Sequence, residues 1–127
     1  MIIAVDFDGT IVEHKYPKIG KEIPFSIQTL KLLQEEGHRL ILWTYRYGNE
    51  LEEAVSYCRS RGIEFYAINK SYPEENFDIA TTSRKISADM FIDDRNIGGL
   101  PDWGRIYQMI TGKVSANSKK TGFKFFR

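Results

Sequence analysis

Four short apolar runs recur along the chain, and each has the length and continuity of a strand buried on both faces of a sheet. They cover residues 2–7, 39–43, 63–68 and 88–92. Segments of helical or loop character separate them, and parallel strands need such crossover connections. The sequence therefore predicts an α/β fold, a three-layer Rossmann-like sandwich with a parallel central sheet and helices on both faces.

Polar residues are placed to cap the N-termini of three predicted helices. Ser26 precedes an apolar-periodic segment that extends to about residue 36, and Asp102 precedes one that extends to about residue 111. Asn49 followed by Glu52 resembles a capping box, which predicts a helix extending to about residue 61. Glycines suited to the left-handed position after a helix follow these segments at Gly37, Gly62 and Gly112.

The chain of 127 residues is short enough for one domain, since domains commonly contain about 150 residues. All four predicted strands lie within residues 1–95. Residues 113–127 form a basic and then aromatic tail, expected to be solvated or to add an edge strand. Because basic residues interleaved with aromatic rings suit single-stranded nucleic acid, contact with nucleic acid or with another copy is the alternative for this tail.

Charge and cysteine content exclude several classes of protein. The formal net charge is +1, which gives no overall field for binding nucleic acid or a membrane. No apolar run approaches the ~18 residues of a membrane-spanning helix. Cys58 is the single cysteine, so no internal disulfide framework exists, and two acids within the first eight residues argue against a secretory signal. We therefore expect a cytoplasmic protein without membrane contact.

Acidic side chains follow two of the apolar runs. Asp6 and Asp8 end the first, and Asp93 and Asp94 end the fourth. Ligands of open parallel sheets bind at the carboxyl ends of the strands, so we expect these four acids at one edge. Carboxylates so close together repel each other and need a cation or a shared proton. Mg²⁺ suits a site of few carboxylates completed by a substrate phosphate.

These residues resemble the motifs of the haloacid dehalogenase-like phosphohydrolase superfamily, over residues 1 to about 95. The sequence DFDGT at 6–10 resembles the first motif, and Thr44 after the run LILW resembles the second. Lys85 resembles the third motif, although the preceding Arg84 is an alternative, and FIDD, which contains Asp93 and Asp94, resembles the acidic fourth motif.

The resemblance implies a Mg²⁺-dependent phosphomonoester hydrolase. Asp6 would attack phosphorus to form an aspartyl-phosphate, and Asp8 would act as general acid and then general base. The metal would be held by Asp6, the backbone carbonyl of Asp8, and Asp93, with Asp94 binding directly, through water or only orienting the site.

The same resemblance implies roles in phosphate binding. Thr44 would donate its hydroxyl to a phosphate oxygen, and Lys85 would balance charge between the nucleophile and the phosphate. Arg46, in the loop after the second strand, is a further candidate for contact with substrate.

Many relatives in this superfamily carry a cap domain, and this chain has no room for one. The connections 10–26 and 69–83 are too short for a folded insertion, so the site should be open. An open site implies cover by a second copy of the chain or a large substrate. A sugar phosphate, a nucleotide and a polynucleotide end are all candidate substrates.

Two other functions are alternatives to hydrolysis. One is a non-catalytic phosphate- or nucleic-acid-binding module on the same fold. The other is a signalling receiver, which is disfavoured because the third strand is followed by Asn69 rather than an acceptor aspartate.

The remaining conspicuous side chains have structural interpretations. His14 and His38 are expected at the surface, and Cys58 is expected to be buried and inert. Core or rim packing is expected of the aromatic residues near the site, with a base-stacking surface as the alternative; they are Trp43, Tyr45, Tyr47 and Tyr66.

Overall fold

A computed structural model describes residues 1–113, so most of the predicted tail lies outside the described residues. The strands are β1 (Ile2–Val5), β2 (Arg39–Leu42), β3 (Ala67–Ile68) and β4 (Met90–Ile92). The helices are α1 (Ser26–Glu35), α2 (Gly48–Ser60) and α3 (Trp103–Thr111). No helix among residues 1–113 is long and apolar enough to cross a membrane.

The four strands form one parallel sheet in the order β3-β2-β1-β4. This confirms the predicted α/β fold with a parallel sheet. Val5 at the end of β1 pairs with Leu42 of β2 and with Ile92 of β4. Because β1 lies between its two neighbours in register, the residues that follow these three strands emerge side by side at one edge.

The third predicted strand is much shorter than its apolar run. Of residues 63–68, only Ala67 and Ile68 pair with β2, and Ile63 is instead a buried residue in the turn after α2. Apolar character alone does not distinguish a strand from a buried loop. Residues 63–66 connect α2 to the sheet instead of forming part of the strand.

All three helices pack on one face of the sheet. Residues of α1, α2 and α3, such as Leu30, Cys58 and Trp103, share one buried cluster with Ile3 of β1 and Leu40 of β2. The two crossovers β1–α1–β2 and β2–α2–β3 advance in the same direction across the sheet. Right-handed connections therefore put α1 and α2 on the same face.

The other face of the sheet is covered by an irregular connection. Ala4, Ile41 and Ala67 form a second buried cluster with Ile86, which belongs to the segment between β3 and β4. This segment returns across the sheet, so a right-handed path takes it over the face opposite to α1. It contains no helix, and the predicted three-layer sandwich with helices on both faces is therefore not confirmed for residues 1–113.

Asp102 caps α3 as predicted, whereas the other two predicted caps are wrong. The Asp102 side chain accepts a hydrogen bond from the Arg105 N–H. The residues before α1 and α2 are Phe25 and Tyr47, and neither makes a side-chain cap bond. The Ser26 hydroxyl instead donates to the Ile11 carbonyl at 2.8 Å, in the buried interior.

The predicted left-handed glycines are confirmed, and so is the buried cysteine. Gly37, Gly62 and Gly112 have φ values of 93°, 92° and 73°. Cys58 is fully buried against the sheet, and burial raises the pKa of its thiol to about 12. The thiol therefore stays protonated and unreactive near neutral pH.

Candidate active site

A cleft of about 380 Å³ lies at the edge of the sheet where β1, β2 and β4 end. Asp6 and Asp8 after β1, Thr44 after β2 and Asp93 after β4 all line it. The structure thus brings together predicted site residues from three strands that are up to 87 positions apart in sequence (93 − 6).

Three of the four predicted acids form one cluster. Carboxylate oxygens of Asp6, Asp93 and Asp94 lie within 4.8 Å of one another. The pKa of Asp6 is raised from 3.8 to about 8, first by burial, then by a hydrogen bond with Asp94 and by the charge of Asp93. The cluster therefore holds either a proton or a cation near neutral pH.

The donor set of this cluster fits a small divalent cation. Octahedral Mg²⁺ binds oxygen at about 2.0–2.1 Å, which separates its ligand oxygens by about 2.9–4.2 Å. The carboxylate oxygens of Asp6, Asp93 and Asp94 lie within 4.8 Å of one another, close to this range, so the three residues could hold such an ion. Asp6 and Asp94 already approach within hydrogen-bond distance, and that close approach needs positive charge between them.

Thr10 connects the first and last acids of the cluster. Its hydroxyl lies 3.0 Å from Asp6 Oδ2 and 3.2 Å from Asp94 Oδ1, and it accepts a hydrogen bond from the Asp94 N–H at 3.1 Å. The indole N–H of Trp103 donates to the Thr10 carbonyl at 3.0 Å, which fixes this loop against α3. Sequence reasoning assigned Thr10 no contact, because its partner Asp94 is 84 residues away.

Gly9 leaves room for the fourth motif to approach. A Cβ atom at this position would lie 2.4 Å from Asp94 Oδ2, and the residue has a left-handed φ of 86°. Any other residue would push Asp94 out of the cluster.

Asp8 lies outside the acid cluster and is paired with Arg46. The guanidinium donates Nε–H to Asp8 Oδ2 at 2.7 Å and Nη2–H to Asp8 Oδ1 at 2.8 Å. Both side chains are fully buried. The hydrogen bonds that the guanidinium donates to Asp8 raise the pKa of Arg46 above its ordinary value.

Arg46 does not contact the cleft, contrary to its predicted role in substrate binding. Its remaining N–H groups donate to the backbone carbonyls of Pro17 and Lys18 in the loop before α1, and of Glu50 in α2. All donor atoms of the guanidinium are thereby engaged. The side chain positions Asp8 and the loop instead of binding a substrate.

Thr44 is held with its hydroxyl available to the cleft. Its N–H donates to Asn69 Oδ1 at 2.8 Å, and its Oγ1 accepts from the Arg46 N–H at 3.1 Å. A hydroxyl that accepts one hydrogen bond keeps its own proton to donate. Asn69, which follows β3 and has a left-handed φ of 55°, was missed as a positioning residue.

Neither candidate for the third motif reaches the cleft. Lys85 and Arg84 are both exposed, and the Arg84 guanidinium lies over the ring of Phe77 at 5.4 Å. The cation that lines the cleft is Arg95, directly after the two acids of the fourth motif. Its position beside Asp94 was the signal that could have identified it.

Aromatic side chains complete the cleft. Trp43, Tyr45 and His14 line it. His14 is exposed, as predicted, and it also contributes to the cleft. Tyr45 is 52% exposed, whereas Trp43 is half-buried in the second apolar cluster. The Tyr45 hydroxyl and His14 Nε2 share a hydrogen bond of 3.2 Å. We call the set Tyr45, His14 and Tyr16 the aromatic rim.

No protein-family profile and no curated protein matches the chain. A solved structure of a conserved protein coded by a locus from Bacteroides thetaiotaomicron is 65% identical in sequence, over 91% of this chain and 93% of that chain, with a TM-score of 0.83. The chain belongs to the same family as this Bacteroides protein.

Loss of Arg46 should strongly destabilise the protein. Arg46→Ala leaves Asp8 buried without its partner, and breaking such a pair lowers the free energy of unfolding by about 3–5 kcal/mol. Urea denaturation measures this change. In the double variant Asp8→Leu/Arg46→Met no charge is left unpaired, and we expect it to recover most of the loss.

Arg59→Ala is the matched control for this experiment. The Arg59 contact with Glu64 is exposed and 4.0 Å long, so its removal should change the free energy of unfolding by no more than about 0.5 kcal/mol. Equal effects of the two arginine variants would contradict the assigned role of Arg46.

Stabilisation by Mg²⁺ should increase with pH. Between about pH 4 and pH 8, the metal-free folded state holds a proton on Asp6 that the unfolded chain releases. The free energy of unfolding therefore decreases as pH rises through this range. A cation must displace that proton, so the increase in melting temperature caused by Mg²⁺ should be larger at about pH 8.5 than at about pH 6.

Thermal denaturation with and without Mg²⁺ at the two pH values measures this linkage. In Asp6→Asn the titrating group is absent, and the pH dependence of the Mg²⁺ effect should be much weaker. A Mg²⁺ effect that is the same at both pH values in the unmodified protein would contradict the proton–metal competition.

Proposed function

We propose that this protein is a Mg²⁺-dependent phosphomonoester hydrolase that uses Asp6 as its nucleophile. The observation that carries the proposal is the cluster of Asp6, Asp93 and Asp94 within 4.8 Å, at a cleft lined by two of these acids and by Thr44 and Arg95. A carboxylate, a hydroxyl donor and a cation around one space of substrate size support this assignment.

The first step transfers the phosphoryl group to the protein. A carboxylate oxygen of Asp6 attacks phosphorus, and the bond between phosphorus and the ester oxygen breaks. Asp8 gives a proton to the departing alcohol oxygen, and the two hydrogen bonds that Arg46 donates hold its carboxyl group in a fixed position at the cleft. The products of this step are an acyl phosphate on Asp6 and the free alcohol.

The second step restores the protein. Water attacks phosphorus, its proton passes to Asp8, and the bond from Asp6 to phosphorus breaks to release inorganic phosphate. Asp8 then carries the proton for the next cycle. A leaving alkoxide needs such a proton donor, which favours phosphate esters as substrates.

Charge balance is needed in both steps because a carboxylate and a phosphate dianion repel each other. Asp6, Asp93 and Asp94 would hold Mg²⁺, which when bound would supply the positive charge that lets the carboxylate and the phosphate approach each other. Thr44 donates its hydroxyl to a phosphate oxygen, and the Arg95 guanidinium offsets charge at the mouth of the cleft.

Replacing the nucleophile should abolish phosphate release. We expect Asp6→Asn to reduce the rate by at least about 10³-fold, since removal of a nucleophile has effects of this order or larger. The measurement is release of inorganic phosphate with Mg²⁺ or chelator, from an aryl phosphate, sugar phosphates, nucleotides and a phosphorylated oligonucleotide. Chelator should abolish release from every substrate.

Asp78→Asn is the matched control, because Asp78 is an exposed aspartate outside the cleft. It should leave phosphate release unchanged. Mg²⁺-dependent release that survives in Asp6→Asn would rule out this mechanism. A protein that binds phosphate esters without releasing phosphate would be the non-catalytic binding module.

The charge-balancing cation should be Arg95 rather than Lys85. Arg95→Ala removes a cation that lines the cleft, and loss of one such electrostatic contact reduces kcat/KM by about 10²-fold. Lys85→Ala changes an exposed side chain outside the cleft and should alter kcat/KM by less than about twofold. A larger loss of kcat/KM in Lys85→Ala than in Arg95→Ala would instead assign the third motif to Lys85.

A further inference from the structure

Tyr45 is a large side chain that is fixed in place without being buried. Its ring is 52% exposed, yet it lies 6.4 Å from the His14 ring at an interplanar angle of 21° and 5.1 Å from the Tyr16 ring. The hydrogen bond between Tyr45 and His14 adds a polar constraint. Ordering a side chain costs conformational entropy, and the core gains little apolar burial from Tyr45 in return.

The loop that carries the other two rings of the aromatic rim is also fixed. Arg46 donates to the carbonyls of Pro17 and Lys18 at 3.2 and 2.8 Å. The Glu13 N–H donates to the Lys21 carbonyl at 2.7 Å, and this turn passes so close to Gly20 that a Cβ there would lie 2.2 Å from the Glu13 carbonyl oxygen. The rim therefore has a set position relative to the reacting carboxylates.

The polar groups of the rim are largely occupied. The Tyr45 hydroxyl and His14 Nε2 pair with each other, and Thr44 Oγ1 already accepts from Arg46. Recognition of a bare sugar needs several side chains that bind its hydroxyl groups, and this part of the cleft offers few. Flat ring faces instead suit a flat ligand, since stacking on an aromatic ring requires no matched donors or acceptors.

We propose that the exposed face of Tyr45, braced by His14, stacks on a planar ring in the leaving alcohol, so that the preferred substrate is a nucleoside monophosphate. This inference rests on the proposed phosphatase function. The cleft of about 380 Å³ accommodates a ligand of that size, with the phosphate at Asp6 and the base at the rim. Tyr45 is thus a specificity-determining residue.

The test compares two substrates that differ only in the base. Adenosine 5′-monophosphate and ribose 5-phosphate share the same phosphate and a five-carbon sugar. We expect kcat/KM to be about tenfold or more higher for the nucleotide, the size of one stacking contact. Tyr45→Ala should reduce this ratio to near one, mainly through a higher KM for the nucleotide, and Tyr45→Phe should keep most of it.

Tyr47→Ala is the control variant, because Tyr47 is a neighbouring tyrosine that is 73% exposed and does not line the cleft. It should leave both the ratio and the individual rates unchanged. A ratio near one in the unmodified protein would overturn the proposal, and so would an equal loss on both substrates in Tyr45→Ala.

Failure of the phosphatase proposal has a different signature. In that case neither compound releases phosphate, in the presence or absence of Mg²⁺. Calorimetric titration of the unmodified protein with the same two compounds and Mg²⁺ then decides the ring preference. Binding of the nucleotide at least about tenfold tighter, lost in Tyr45→Ala, would support stacking at the rim, and equal binding would refute it.

Discussion

The buried ion pair between Asp8 and Arg46 is the contact on which the arrangement of the site depends. It joins the end of β1 to the end of β2, and the same guanidinium reaches two carbonyls of the loop before α1 and one in α2. A buried pair is costly to desolvate and is stable only when its hydrogen bonds are complete, as they are for Arg46. A shift of any of these segments would therefore break hydrogen bonds of Arg46 that hold the others in place.

The acid cluster differs from this pair because it brings like charges close together. The sheet order forces the ends of β1 and β4 side by side, Gly9 removes the side chain that would separate them, and Thr10 bridges Asp6 and Asp94. The high pKa of Asp6 is the electrostatic result. A proton or a cation would relieve this repulsion, and strongly perturbed pKa values of this kind cluster at functional sites.

The sequence predicted the parallel sheet and the acids at its edge, because both follow from local patterns. Apolar runs identify buried strands, and strand ends of a parallel sheet meet. What it missed depends on distant partners. The Ser26 hydroxyl donates to Ile11 rather than to its own helix, and Arg46 pairs with Asp8 rather than facing a ligand. Lys85 was assigned by its resemblance to the third motif, upstream of the fourth strand, but no helix forms there to direct it inward.

The two faces of the sheet are covered differently, so the segments that cover them should differ in how easily they open. Three helices protect one face, while the other relies on Ile86 and a connection without regular backbone hydrogen bonding. Segments of this kind open with little free energy, before the rest of the structure unfolds. Transient release of that connection would expose to water the face of β1 and β2 that carries Ala4 and Ile41, and it would leave the helix-covered face intact. This face of the sheet is thus the place where the protein would first expose apolar surface, and Trp43 connects it to the cleft.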